Sequence, residues 1–275
     1  MLNIRRRLLS DGWYPNSKSE LERMIGDWIT GIPPGYAHAG VVPHAGWSFC
    51  GSIIAQVVNG LSSDIDTIVV LGGHNPPGGP FISYHYDEWI TPTGSYFMDE
   101  MLAESLEQTI TERFIEERDA DNTVEVVMAL ALCLKPDVKW AAWRVPADSR
   151  AIDFGGKLAE AAKDTHRRLA VLGSTDLTHY GPRYGFVPQE SLGNPVEWVG
   201  KRDRRMLEAL LDFDGEDALR RANFEKTACS SGGAVAAMSY AKFLGANRGR
   251  VLSYATSRDV WPDDSFVGYA GLVWE

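Results

Sequence analysis

The chain has 275 residues, enough for one large α/β domain with a sizeable core that needs no disulfide or structural metal. Its formal charge of −10 at pH 7 and isoelectric point near 5.1 exclude a broad basic face for nucleic acid. Three cysteines, Cys50, Cys133 and Cys229, fit a reduced, cytoplasmic protein better than a secreted one. No stretch approaches the roughly 20 uninterrupted apolar residues of a membrane span, and the arginines at 5–7 precede a polar segment rather than a signal-peptide core.

In chain order, residues 1–18 read as an irregular arm, followed by a helix over about 19–31 capped by Ser17 or Ser19 and ended by Pro33-Pro34. A short aliphatic strand over about 38–43 ends at Pro43-His44-Ala45-Gly46, and Gly51–Leu61 follows as a helix. A second such run, Ile68-Val69-Val70-Leu71, ends at Gly72-Gly73-His74-Asn75 before a Pro/Gly loop. Phe81–Ile90 reads as a short strand or hairpin arm, and Thr91–Gly94 as a turn. Asp99 starts a helix, and a polar link through Glu116–Asp119 leads to a helix from Glu125 to Leu134. Val138–Pro146 is strand-like, and Phe154–Arg167 is a helix that feeds a third aliphatic strand at 169–173. That strand ends in Ser174-Thr175-Asp176, with His179 just beyond. Helices are expected at 198–211, 214–222 and from Ala234 to Leu244, with final strands at Val251–Thr256 and Phe266–Val273.

Aliphatic runs without polar alternation suit strands buried on both faces of a largely parallel sheet flanked by helices. Open α/β sheets place their ligands beyond the carboxyl ends of such strands. The expected fold class is therefore α/β, a single domain over 1–275, with three strand ends converging on one cleft. His44, His74, Asp176 and His179 are the residues brought there. His44 and His74 with Cys229 form a candidate ligand set for zinc, iron or copper. For each of these three a structural role stands beside the ligand role. Asp176 and His179 form a candidate pair in which the carboxylate orients an imidazole that moves a proton. Cys229 with His44 is also a candidate thiol nucleophile pair that needs no metal. Glu125 is either an added carboxylate, a cap or a solvated side chain. His38, His85 and His166 lack comparable settings. There is no G-x-S-x-G elbow, G-x-G-x-x-G or phosphate loop. Nine tryptophans and ten tyrosines are expected mainly around the core, with an aromatic-lined groove as the alternative.

Pro43-His44-Ala45-Gly46-Trp47-Ser48-Phe49-Cys50-Gly51-Ser52 closely resembles the P-H-A-G-[YW]-x-[YF]-[CS]-G signature of the Memo family, also called AmmeMemoRadiSam system protein B. The similarity continues through Leu71–His74, Ser174–Gly181, the Cys229 turn and Tyr269-Ala270-Gly271, covering nearly the whole chain. It implies one α/β domain similar to the class III extradiol, LigB-like dioxygenases. It also implies that His44, His74 and Cys229 match the family's metal-binding residues, with Asp176 and His179 beside them. Family members have been linked to iron or copper, to redox chemistry and to phosphopeptide binding. Two departures stand out. Asn75 replaces a frequent second histidine, and Asp121-Asn122-Thr123-Val124-Glu125 replaces the usual E-H-S-x-E. Both remove a potential acid–base group, because an amide cannot take up a proton at physiological pH. Asn75, Asn122 and Glu125 are therefore expected around the centre rather than as its ligands, and His179 is left for proton transfer.

The leading expectation is a mononuclear iron or copper oxidoreductase, dioxygenase-like, acting on a small aromatic or other oxygen-bearing substrate. The alternatives are a metal-free, vestigial binder of a peptide or anion, and a zinc-dependent hydrolase. The expected partners are a small molecule or peptide, neither nucleic acid nor membrane, and a second copy in a homodimer.

Overall fold

A computed structural model describes residues 2–112, 114–116 and 119–275. The chain opens with β1 (Ile4–Arg5), α1 (Lys18–Ile29), β2 (Ala39–Val42), α2 (Trp47–Gly60), β3 (Thr67–Gly72) and β4 (Phe81–Ser83). It continues through β5 (Glu88–Thr91), β6 (Gly94–Phe97), α3 (Glu100–Thr109), β7 (Phe114–Glu116), α4 (Asn122–Leu134), β8 (Lys139–Arg144) and α5 (Arg150–Asp164). The last elements are β9 (Leu169–Ser174), β10 (His179–Tyr180), α6 (Pro195–Leu211), α7 (Gly215–Glu225), α8 (Ser231–Phe243), β11 (Gly249–Thr256) and β12 (Phe266–Trp274).

The three aliphatic runs form the middle of the main sheet, ordered β10-β12-β2-β9-β3-β8-β4-β7 with β11 on the far side of β12. β2, β9, β3 and β8 are mutually parallel. Antiparallel pairing begins at β12 on one flank and between β8 and β4 on the other. Every residue of β2, β3 and β9 is buried, as helices on both faces require. α8 packs on one face, backed by α5 and α7, while α2 and α4 pack on the other with α1 outside them. One large core results, with a small separate cluster of Tyr180, Val199 and Phe266, and five of the tryptophans (47, 89, 140, 143 and 274) are among the large core's fully buried side chains.

Most expected elements are present, and the differences have local causes. α4 starts at Asn122, not Glu125, because Asp121 is the cap and accepts from the Val124 N–H. Phe81–Ile90 splits in two. β4 joins the main sheet, whereas β5 pairs with β6 and β1 in a separate three-stranded sheet. The arm is therefore pinned at Ile4–Arg5 instead of irregular throughout. α2 begins at Trp47, immediately after the His44 turn. Of the polar link, Glu117 and Arg118 lie outside the described residues. Among the described residues no helix is long and apolar enough to cross a membrane.

Candidate metal centre

Because β2, β9 and β3 are neighbours and parallel, their carboxyl ends lie side by side at one edge of the sheet. Val42 is level with Ser174, and Leu71 with Gly173. His44 and His74 therefore leave from the strands on either side of the Ser174–Asp176 turn. Cys229 arrives from the opposite direction, two residues before α8 begins. α8 can press this close because Gly233 meets the Leu71 carbonyl, where a Cβ would collide.

The side chains converge. One donor atom each from His44, His74 and Cys229 lies within 4.8 Å of the other two, and the same holds for Asp176, His179 and Cys229. The His44 Nε2 is 3.3 Å from the Cys229 Sγ, and the His44 and His74 rings meet edge-on with centroids 5.1 Å apart. His44 is buried, Cys229 half-buried and His74 exposed at the mouth.

Each donor is held by neighbours. The His44 Nδ1 lies 2.9 Å from the Ser174 hydroxyl, which leaves Nε2 to face the cluster. The His44 backbone N–H donates to Asp176 Oδ1 at 2.8 Å, and its carbonyl accepts from the Asn122 amide at 3.1 Å. His74 is set by its predecessor. Gly73 sits at φ +101°, its N–H donates to the Thr123 hydroxyl at 2.8 Å, and its carbonyl accepts from Ser230 at 2.6 Å. The Cys229 N–H donates to the Asp176 carbonyl at 3.2 Å.

Burial pushes the His44 imidazole down to about 4, against the pull of the Asp176 charge, so it is neutral at pH 7 with a lone pair to offer. Burial also lowers His74, with Asp121 and Asp176 opposing. The Cys229 thiol is pushed far up by burial and then by Asp176. A thiol so disfavoured as an anion is a poor free nucleophile, and a cation is what would hold it as thiolate. Burial alone would raise Asp176. The imidazoles of His44 and His179, 3.9 and 3.8 Å from its Oδ2, and the His44 N–H outweigh that and hold it below the ordinary carboxylate value.

The His179 Nε2 is buried and, among the described residues, has no hydrogen-bond partner, although it faces Asp176 at 3.8 Å. The two neutral imidazoles of His44 and His74 and the Cys229 thiol awaiting a counter-charge form a donor set that suits zinc, iron or copper. The residues present therefore fit a metal ion.

A cleft of about 450 Å³ opens on the Asp176 and His179 side of this group, and His44, His74 and Cys229 are not among its lining residues. Trp13, Phe49, Tyr184 and Trp261 supply aromatic walls, Asp176 and His179 line it, and Asn122 lies at its side. A larger cavity of about 750 Å³ lies at the other end of β2, around His38 and Trp274, and contains none of the donors.

The three residues expected around the centre fare differently. Asn122 braces His44. The Asn75 amide is spent on the Pro80 carbonyl within its own loop. Glu125 is neither solvated nor a cap. It is fully buried and accepts from the Arg5 guanidinium, the Leu8 and Leu9 N–H groups and the Tyr14 hydroxyl, so it anchors the N-terminal arm. Sequence reasoning missed Ser174, Thr123 and Ser230 as braces. Ser174 and Ser230 flank the chosen motifs, but a hydroxyl beside a motif carries no signal until its partner is known.

An α/β sheet with a histidine–cysteine donor cluster at its carboxyl edge defines the class of protein. The family follows from comparison: residues 5–273 match the family model for Memo-like proteins, and the chain belongs to that family. It is 31% identical to a MEMO1 family protein of Pyrococcus furiosus over 98% of both chains. It is 30% identical to one of Thermococcus onnurineus over 86% of both. Another, from Methanococcoides burtonii, is 29% identical over 98% of this chain and 99% of its own. An uncharacterised protein of Escherichia coli K12 shares the fold, with a TM-score of 0.53 and 12% identity over 86% of this chain and all of its own.

Proposed function

We propose that the chain is a metal-dependent oxidoreductase, dioxygenase-like, with one iron or copper ion held by His44, His74 and Cys229 and a small oxygen-bearing substrate in the cleft above. The observation that carries this reading is the approach of the three donors to within 4.8 Å of one another, next to Asp176 and His179, which line an aromatic-walled cleft. A bound ion of this kind supplies Lewis-acid and redox chemistry. The rest falls to the chain's own side chains. Ser174 keeps the His44 Nε2 aimed at the cluster, and Gly73, gripped by Thr123 and Ser230, fixes where His74 emerges. Asp176 holds the strand-end turn together and presents Oδ2 to His179. His179, which lines the cleft, takes a proton from a substrate hydroxyl and returns it, with the Asp176 charge beside its Nε2 steadying the imidazolium. Zinc fits the same donors and would turn the site to hydrolysis.

Metal analysis of protein purified without added metal, beside H44A and C229A, tests the assignment. Wild type is expected to carry about one equivalent of iron or copper and to consume oxygen with substrate, and both variants to lose the metal. Variants that keep wild-type metal content and oxygen consumption would overturn it, and stoichiometric zinc with no oxygen uptake would favour hydrolysis.

A further inference from the structure

The walls of the cleft carry information about its ligand beyond the donor cluster. Trp261 and Tyr184, 67% and 45% exposed, stand at the rim with Trp13, the surfaces against which a planar ring packs. Among the described residues lining the cleft, Arg183 is the only lysine or arginine, against the carboxylates of Asp11, Asp176 and Asp263. Arg183 is already committed, since its Nη2 lies 2.7 Å from Asp263 Oδ2 and its backbone N–H donates to Ser265 at 3.1 Å. Asp263 is fixed in turn, its other oxygen accepting from the Ser265 N–H at 3.1 Å and its carbonyl from the Arg258 guanidinium at 2.5 Å. Asp11 is satisfied by Asn16 at 2.8 Å, with Arg7 at 4.0 Å. Asp176, at the floor, faces imidazoles but no lysine or arginine.

An anionic ligand entering this cleft would approach the Asp176 charge and find the charge of its one arginine already paired with Asp263. A neutral or positively charged ring meets no such penalty, and aromatic faces favour a cation. We propose that the Arg183–Asp263 ion pair sets the charge class of the ligand, so that the cleft takes an aromatic ring with a neutral or ammonium side arm and turns away its carboxylated counterpart. The proposal rests on reading the cleft as the substrate site. It does not depend on the metal or on oxygen chemistry.

The test uses full-length protein treated with chelator, so that no carboxylate can bind through a metal, and follows tryptophan fluorescence or heat of binding. The probes are phenethylamine, 2-phenylethanol and phenylacetate, which share a ring and a short arm and differ in charge. Phenylacetate is expected to bind at least about tenfold more weakly than phenethylamine. D263N frees Arg183, and phenylacetate is expected to gain about tenfold in that variant while phenethylamine loses affinity. W261A is expected to weaken all three. Equal affinity for the acid and the amine in wild type, an unchanged ratio in D263N, or binding of none of the probes would overturn the proposal. A wild-type protein that shows this selectivity but carries no metal would sink the oxidoreductase reading alone.

Discussion

At the scale of single residues, the donor cluster depends on groups that never touch the centre. Ser174 is the clearest. Its hydroxyl is the sole side-chain partner of the His44 Nδ1 among the described residues, so it fixes the tilt of the ring. S174A leaves a cavity the size of one oxygen, and the buried ring loses its bond. Metal affinity is expected to fall about 10- to 100-fold, as outer-shell losses at metal sites commonly do, with the fold intact. Competition with a chelator of known affinity measures this. An S174A protein that holds metal as tightly as wild type would remove Ser174 from the account. Gly73 is another such residue. At φ +101°, with a Cβ there driven into Arg144, its place before His74 is dictated by backbone geometry as much as by chemistry.

At the scale of elements, the N-terminal arm and α4 form one device. Glu125, buried on α4, takes two backbone N–H groups, a tyrosine hydroxyl and the Arg5 guanidinium. Arg5 is itself buried and lies over the rings of Trp89, Tyr84 and Tyr86 at 4.6, 5.1 and 5.4 Å. From this anchor the arm runs on to Trp13, whose carbonyl accepts from the Trp47 N–H at 2.8 Å and whose side chain walls the cleft. Removing one partner of a buried ion pair costs about 3–5 kcal/mol. E125A is therefore expected to release the arm first, because the rest of α4 stays packed in the core. Limited trypsin digestion should then cut at Arg5, Arg6 or Arg7 well before the remainder of the chain. An arm that resists cleavage as in wild type would show that β1 pairing alone holds it.

At the scale of the whole molecule, two buried groups tie stability to pH with opposite signs. His44 is held near 4 when folded and returns to about 6.5 when unfolded. Its contribution is complete above about 6.5 and is lost as pH falls towards 4, about 3 kcal/mol in all. Asp203, buried behind the site, accepts from the Thr178 N–H at 3.1 Å and the Tyr254 hydroxyl at 2.8 Å, and burial raises it to about 6. The folded state favours its protonated form, so its contribution is present below about 3.8 and is lost as pH rises through 6. The two nearly cancel between pH 4 and 6 in wild type. Denaturant unfolding of wild type, H44N and D203N, all kept metal-free with chelator across that range, should separate them. H44N is expected to lose stability as pH rises, and D203N to gain it. Parallel curves for both variants and wild type would show that neither group carries the linkage.

Local order gave the sequence its reach. Three aliphatic runs with no polar alternation required a sheet covered on both faces, and a glycine at or close to the end of each marked where the chain leaves it. His44, His74 and Asp176 were legible because each stands at a strand end, and Cys229 because it precedes a glycine-bearing helix start. The start of α4 and the split of Phe81–Ile90 were not. A capping aspartate three residues early and a strand that changes sheets are settled by what each segment packs against. The same holds for Glu125, whose partners lie more than a hundred residues away in the arm. By itself the sequence determined the buried strands, the turns at their ends and the residue types delivered there, because these follow from short-range pattern and backbone freedom. Only the tertiary structure decided that β9 lies between β2 and β3, that a serine braces one histidine, and that Arg183 is bound to an aspartate 80 residues away. Those outcomes depend on which distant surfaces meet, and no local pattern encodes that.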